Sequence, residues 1–171
     1  AYDYADNDPD ASPTGQAGSH GTHVAGIAAG NAGEIVGIAP DAQIIVAKVA
    51  RSVEGDITDS GLLAALDDMV ILHPDVINLS LGQLGGMDNE ADSVYATVFK
   101  SLQDVGVTVN AAAGNHYTAG YGNTSGKNLP FASDPDSSTQ CEPATYSSVV
   151  SVASVDNSLA HSAFTVGDRD I

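Results

Sequence analysis

The sequence has no tryptophan, one cysteine and few basic residues. Because Cys141 stands alone, an internal disulfide is excluded. No apolar run approaches the roughly 18 residues that a membrane-spanning helix needs. Acidic residues outnumber lysine and arginine by 22 to 5, which gives a formal net charge of −17. This charge argues against DNA, RNA or an anionic membrane surface as a partner, and we expect the acidic side chains to form a solvated surface.

Aliphatic residues must supply most of the core, because 43% of the chain is hydrophobic and only 5% is aromatic. A chain of 171 residues is long enough for one domain. Buried strands are predicted at residues 43–49, 75–82, 107–113 and 146–155. Helices are predicted at residues 19–31, over a segment that ends at His73, and at residues 90–105. This alternation predicts an α/β fold, in which a parallel sheet is flanked by helices in three layers.

Two stretches are predicted to be loops because they are rich in Gly, Asn, Asp, Ser and Pro. The first is residues 1–18, begun by a short strand at residues 1–4. The second is residues 116–145. A loop of that length in a compact domain is more often functional than idle.

The first predicted helix is made almost wholly of very small residues and carries His20 near its start. Ser19 is a suitable N-cap, and Gly26 and Gly30 lie one turn apart, so the helix can approach a sheet closely and is predicted to lie inside the domain. In the first turn the helix dipole favours the neutral imidazole, the form that a general base needs. The alternative interpretation is that His20 is an ordinary, satisfied polar residue.

Two predicted strands end in residues suited to a binding site. Alternation along residues 76–82 directs Ile77, Leu79 and Leu81 to one side and Asn78, Ser80 and Gly82 to the other. The strand at residues 107–113 delivers Asn115 to its carboxyl end, where open α/β sheets bind their ligands. The alternatives are a buried strand that ends in a turn and a structural Gly-Asn turn.

The segment His20-Gly21-Thr22-His23-Val24-Ala25-Gly26 resembles the histidine box of the subtilisin-like serine proteases, the subtilases. Residues 76–82 and 111–115 resemble the next two signatures of that family, in the same order. The resemblance implies a subtilisin-like fold and a protein or peptide substrate. It implies that His20 takes the proton of a catalytic serine and that Asn115 donates its amide to the oxyanion. The implied substrate-binding residues are Ser80, Leu81 and Gly82, which pair with an extended peptide, and Ala112, Ala113 and Gly114, which form part of the side-chain pocket.

The acid and serine boxes of that family have no counterpart in residues 1–171. The acidic residues before His20 lie in a loop and too close to it, and residues 122–125 resemble the serine box only faintly and match a glycosylation sequon instead. We therefore expect residues 1–171 to be part of a subtilase catalytic domain, inactive alone. Residues 146–156 resemble the strand that follows the oxyanion loop in that family. Residues 168–171 do not match the family's usual path from this strand to the serine, which fits the cell-envelope branch with a protease-associated domain inserted at about this point. The resemblance implies a secreted or cell-surface protein.

Other interpretations remain open at this point. The chain could be a non-catalytic peptide-binding module on the same scaffold, or a metal-binding protein that uses His20 and His23. No carboxylate lies between these two histidines and only two ligands are visible, which favours a packed, structural His23. The resemblance implies no cofactor apart from calcium, which some family members bind in the loop that corresponds to residues 31–35. We also expect the isolated chain to self-associate through truncated sheet edges.

Overall fold

The computed structural model of the chain describes residues 1–13, 15–51, 55–83, 94–115, 140–160 and 162, with the backbone alone for residues 15–18. The chain divides into two compact units, residues 1–69 and residues 70–171. Most of the predicted loop at residues 116–145, the sequon, and residues 168–171 lie outside the described residues. No helix in the described ranges is long and apolar enough to cross a membrane.

The first unit contains two short pairs of strands and two helices. Its elements are β1 (Tyr2–Asp3), α1 (Gly15–Ala29), β2 (Asn31–Ala32), β3 (Ile35–Val36), β4 (Ala47–Lys48) and α2 (Asp59–Leu72), which begins in this unit and ends in the next. Strands β1 and β4 are parallel, and β2 and β3 form an antiparallel hairpin. Thr58 caps α2, since its Oγ1 accepts a hydrogen bond from the N–H of Gly61 at 3.2 Å. Apolar residues at helical spacing then form the buried side of α2: Leu62, Ala65, Leu66 and Met69.

A buried ion pair fixes the start of the chain to β4. Asp3 is 1% exposed, and its carboxylate pairs with Lys48 and accepts the N–H groups of Ala5 and Asp6 at 2.9 and 3.0 Å. A buried carboxylate is tolerated only when it is paired and hydrogen-bonded, and Asp3 meets both conditions. The predicted strand at residues 1–4 is thus confirmed in its position.

The second unit contains a three-stranded parallel sheet. Its elements are β5 (Val76–Leu79), α3 (Val94–Asp104), β6 (Thr108–Ala112) and β7 (Val150–Val152), and the strand order is β5-β6-β7. Phe99 and Leu102 of α3 are fully buried and Val109 of β6 is 1% exposed, so the core lies between the helix and one face of the sheet. The ring of Phe99 also contacts Tyr146, with 5.4 Å between the ring centroids. Parallel strands flanked by helices confirm the predicted α/β class.

Strand β4 is shorter than predicted, and it pairs in parallel with β1 in the described part of the chain. Only Ala47 and Lys48 of the predicted strand at residues 43–49 are in a strand, and Ile44, Ile45 and Val46 are 40–51% exposed. Because β1 has only two residues, it is too short to pair with the rest of the strand predicted at residues 43–49. The strand predicted at residues 146–155 is also shorter than expected and is limited to β7. The chain turns just before β7, where the N–H of Val149 donates a hydrogen bond to the carbonyl of Tyr146.

Helix α1 also differs from the prediction. It begins at Gly15 instead of Ser19, so Ser19 is not its cap. The helix is not internal in this chain: Ile27 is 57% exposed and the side chains from Ser19 to His23 are exposed. Helix α1 packs against β3, and the N–H groups of Ile38 and Ala39 donate to the carbonyls of Ile27 and Ala28 near the end of the helix.

Candidate active site

The carboxyl ends of β5 and β6 border a hollow of about 340 Å³ in the second unit. The residues that line it are Ser80, Leu81, Gly82, Ala112, Gly114, Asn115 and Cys141. The two strands are parallel neighbours, with Leu79 opposite Ala111, so both chains leave the sheet at the same edge. Six residues predicted from sequence to contact substrate or oxyanion therefore lie around one hollow.

Gly114 allows the chain to turn at the end of β6. Its φ is +122°, a conformation that glycine adopts readily and residues with a Cβ rarely do. The turn leaves Asn115 exposed beside the hollow. A carboxamide N–H at such a position can donate to an oxygen that becomes negatively charged during acyl transfer.

Ala113 lies apart from the hollow, unlike its predicted place in the pocket wall. It is 1% exposed, and alternation along the strand directs its side chain to the buried face while that of Ala112 faces the hollow. Its backbone has a structural function instead. The N–H of Ala113 bonds to the carbonyl of Val152 at 2.9 Å, and its carbonyl accepts the N–H of Cys141 at 2.8 Å.

A short segment, residues 140–143, closes one side of the hollow, and we call it the strap. Gln83 and Glu142 exchange two backbone hydrogen bonds of 3.0 and 3.1 Å. The Nε2 of Gln83 donates to one carboxylate oxygen of Glu142 at 2.9 Å, and the hydroxyl of Tyr146 donates to the other. With the bond from Cys141 to Ala113, these contacts fix the strap between the ends of β5 and β6.

Position 82 requires a glycine, because the strap approaches its backbone too closely for a side chain. A Cβ at position 82 would lie 2.8 Å from the Cβ of Cys141 and 2.9 Å from the carbonyl oxygen of Glu142. The sequence argument explained Gly82 by the approach of a peptide, but the chain's own backbone already requires it. Sequence reasoning missed the strap and Cys141, since nothing local to residues 140–143 indicates a contact with residues so distant along the chain.

Among the described residues that line the hollow, none carries a charged side chain, although the chain as a whole is strongly acidic. Cys141 is 6% exposed, and burial raises the pKa of its thiol, so the neutral thiol predominates at pH 7. The carboxylate of Glu142, the nearest acidic residue along the chain, is not part of the lining. The described part of the lining therefore presents apolar surface, one hydroxyl, one thiol and the amide of Asn115.

His20 lies in the first unit, as the sixth residue of α1, and is exposed. The argument from the first helical turn does not hold, because the helix begins one turn earlier than predicted. His23 is one turn further along the helix and is also exposed, so the expectation that it is packed is wrong. Among the described residues, no group of three or more His, Cys, Asp or Glu side chains could hold a metal ion, and this includes the loop at residues 31–35.

Comparisons with known proteins indicate the family of the chain. The model of the Subtilase family matches residues 1–169. The PI-type proteinase of Lactococcus lactis subsp. cremoris is 32% identical over 164 residues, which cover 91% of this chain and 8% of that protein. The minor extracellular protease Vpr of Bacillus subtilis (strain 168) is 38% identical over 131 residues, which cover 72% of this chain and 16% of that protein.

The fold is found among solved structures as well. A lanthipeptide protease matches with a TM-score of 0.69 over 96% of this chain and 44% of that chain, at 24% sequence identity, which bears on the fold alone. The chain thus spans less than half the length of these relatives and of this structure. A family model that matches nearly the whole chain, together with relatives that are proteases, establishes that the chain belongs to the subtilase family.

Proposed function

We propose that this chain is part of a serine endopeptidase that hydrolyses peptide bonds with an Asp-His-Ser triad. In this proposal His20 is the histidine of the triad, and the acid and the serine come from outside residues 1–171 of the sequence. The observation that carries the proposal is the hollow, which brings Ser80, Leu81 and Gly82 next to Asn115 at the carboxyl ends of two parallel strands. Membership of the subtilase family supports the type of reaction.

The peptide substrate would bind in an extended form along residues 80–82. Strand β5 lies at one edge of the three described strands of its sheet, so the backbone that follows it is placed to pair with a further strand. The side chain that precedes the scissile bond would enter the hollow between Ala112 and Gly114. The reacting carbonyl would then lie next to Asn115.

In the first step, the serine oxygen attacks the carbonyl carbon and His20 takes the hydroxyl proton. The carbonyl oxygen becomes an oxyanion, to which Asn115 donates a side-chain N–H. When the C–N bond breaks, the protonated His20 gives its proton to the leaving amine, and the serine keeps the acyl group. Water then hydrolyses the ester with His20 as the base again. Residues 1–171 alone would be inactive, because the nucleophile is not among them.

The experiment is a kinetic comparison in the full-length polypeptide that contains this chain. We expect His20→Ala to lower kcat by at least the roughly 10⁴ associated with loss of a triad member. For Asn115→Ala we expect a loss of about 10²–10³, a magnitude measured in subtilisin, a member of the same family. Asn157→Ala is the matched control, since Asn157 is exposed and distant along the chain from the lining residues, and its kcat is expected to be unchanged.

Active-site labelling separates this function from a peptide-binding module. A fluorophosphonate should label one serine in the full-length protein, and His20→Ala should abolish the labelling. Peptide binding without cleavage and without labelling would contradict the proposal and support a non-catalytic module instead. Full activity of the His20→Ala variant would contradict the assignment of the base.

The location of the protein follows from the same proposal. A secreted or cell-surface endopeptidase fits the relatives, one of which is named an extracellular protease. Cell fractionation with an antibody against residues 1–171 tests this. Activity and antigen in the medium or at the cell surface would support it, and their confinement to the cytoplasm would contradict it.

Self-association of the isolated chain is also proposed, on the exposed face of the second unit's sheet. The strand register places Val76, Val150 and Val152 on the same face, and they are 50–56% exposed. The same face carries Asn78, Thr108 and Asn110, so the three valines are exposed apolar side chains on a mixed face. A second copy that covers these valines would bury apolar surface, which is favourable.

A further inference from the structure

We propose that Asn78 is a positioning residue, which turns the hydroxyl hydrogen of Ser80 into the hollow so that it donates to a backbone carbonyl of the bound peptide. This inference rests on the proposed function. It goes further because Asn78 is not among the described residues that line the hollow and acts only through Ser80. Three observations carry it: the face that both side chains share, the direction of the hydrogen bond between them, and the hydrogen that this bond leaves available.

Asn78 and Ser80 lie two residues apart at the end of β5, on the same face of the sheet. Successive side chains of a strand alternate between the two faces, and Leu79 between them is buried on the opposite face. Because Leu79 is opposite Ala111, the next residues of both chains, Ser80 and Ala112, leave the sheet side by side, and both line the hollow. The Nδ2 of Asn78 donates to the Oγ of Ser80 at 2.9 Å. This bond therefore joins a residue outside the described lining to one inside it.

The direction of this hydrogen bond decides what the hydroxyl of Ser80 can do. A serine hydroxyl has one hydrogen to donate and two lone pairs that accept. Since the amide of Asn78 donates to one lone pair, the hydroxyl hydrogen points away from Asn78. Within the described ranges of the chain, no acceptor bonds to this hydrogen. It is therefore available to a group that enters the hollow from outside.

An extended peptide beside residues 80–82 offers backbone carbonyl oxygens, which are the acceptors that a hydroxyl hydrogen needs. The proposed function assigns the reacting carbonyl to Asn115, so the partner of Ser80 is another carbonyl of the peptide. A hydroxyl whose direction is already fixed loses less rotational freedom when the peptide binds, and this is the contribution of Asn78. A bond to a carbonyl that does not react stabilises the bound substrate and the transition state equally. Such a bond lowers KM and leaves kcat unchanged.

The test is a measurement of KM and kcat for Asn78→Asp in the full-length polypeptide. This substitution keeps the shape of the side chain but replaces the donor by a carboxylate, so the hydrogen of Ser80 would turn towards it and away from the peptide. We expect KM to rise about five- to tenfold, the effect of one lost hydrogen bond, with kcat unchanged. Asn110→Asp is the matched control. Asn110 is opposite Asn78 on the same face and has no described bond to Ser80, so the same charge there should leave KM unchanged.

Ser80→Ala and the double variant decide whether Asn78 acts through Ser80. Ser80→Ala should raise KM by the same factor, and Asn78→Asp added to it should raise KM no further. Titration with a fluorophosphonate counts the active sites, so partial unfolding of a variant cannot imitate a change in kcat. An unchanged KM in either single variant, an equal rise in Asn110→Asp, or a further rise in the double variant would overturn the inference. Any of these results with cleavage intact would refute only this inference, whereas the absence of both cleavage and labelling would refute the proposed function.

Discussion

Gly82→Ala is expected to destabilise the chain by about 1–3 kcal/mol, because the added methyl group overlaps the strap. The new Cβ would lie 2.8 Å from the Cβ of Cys141 and 2.9 Å from the carbonyl oxygen of Glu142. Unstrained carbon atoms in contact are about 3.5–4.0 Å apart, so the strap would have to move by about 1 Å. That movement would stretch the two backbone bonds between Gln83 and Glu142, each of which contributes about 1 kcal/mol.

Urea denaturation followed by circular dichroism measures this loss, with Gly21→Ala as the matched control. Nothing lies within 4 Å of a Cβ at position 21, which is inside helix α1. Alanine is favoured over glycine in a helix by up to about 1 kcal/mol, so the same chemical change should stabilise the chain there. Equal midpoints for Gly82→Ala and the unsubstituted chain would refute the close packing of the strap against β5.

Three further outcomes are expected. Phe99→Ala should lower the free energy of unfolding by about 3–5 kcal/mol, because Phe99 is fully buried, and Phe99→Leu should lower it by less. Equal losses for the two variants in urea denaturation would contradict the packing of Phe99 in the core. Burial, and then the hydrogen bond to Asp68, raise the pKa of Tyr4 to about 12, so the contribution of Tyr4 to stability is present below pH 10 and is lost as the pH rises through 12. Ultraviolet titration of Asp68→Asn should show a lower pKa for Tyr4. An unchanged titration would contradict the contact between Tyr4 and Asp68. Lysine at positions 150 and 152 should shift the sedimentation profile of the isolated chain towards the monomer, and a strictly monomeric unsubstituted chain would contradict self-association.

Local signals in the sequence predicted α3 and the strand after it well. The apolar spacing along residues 90–105 matches the described helix at Val94–Asp104, and Gly106 follows this helix with a φ of +89°, which is typical of a glycine at a helix C-terminus. The convergence of Asn115 with residues 80–82 could also be foreseen, since parallel neighbours end at the same edge of a sheet. These features depend on short-range patterns and on one general property of α/β folds.

The features that could not be predicted depend on partners distant along the chain. The bond between Gln83 and Glu142 joins residues 59 positions apart, and the segment between them contains a helix, a strand and a long predicted loop. The strand predicted at residues 43–49 failed for a related reason. β-branched residues favour strands through packing and pairing with neighbours, and Ile44 and Ile45 have no strand partner in the described part of the chain.

The start of α1 had no local signal. Ser19 resembles an N-cap, and the two glycines before it disfavour a helix, yet the helix extends back to Gly15. Nothing in the structure explains this extension. It removes His20 from the first turn, so the assignment of His20 as a base now depends on the family motif and not on the helix dipole.

A crystal structure of the full-length protein with a bound peptide aldehyde would test the central claim most directly. The account predicts a covalent adduct on a serine outside residues 1–171, with its oxygen about 3 Å from the Nδ2 of Asn115 and the imidazole of His20 beside the same serine. The substrate side chain should occupy the hollow next to Cys141. An adduct that contacts neither residue, or that leaves this hollow empty, would contradict the account.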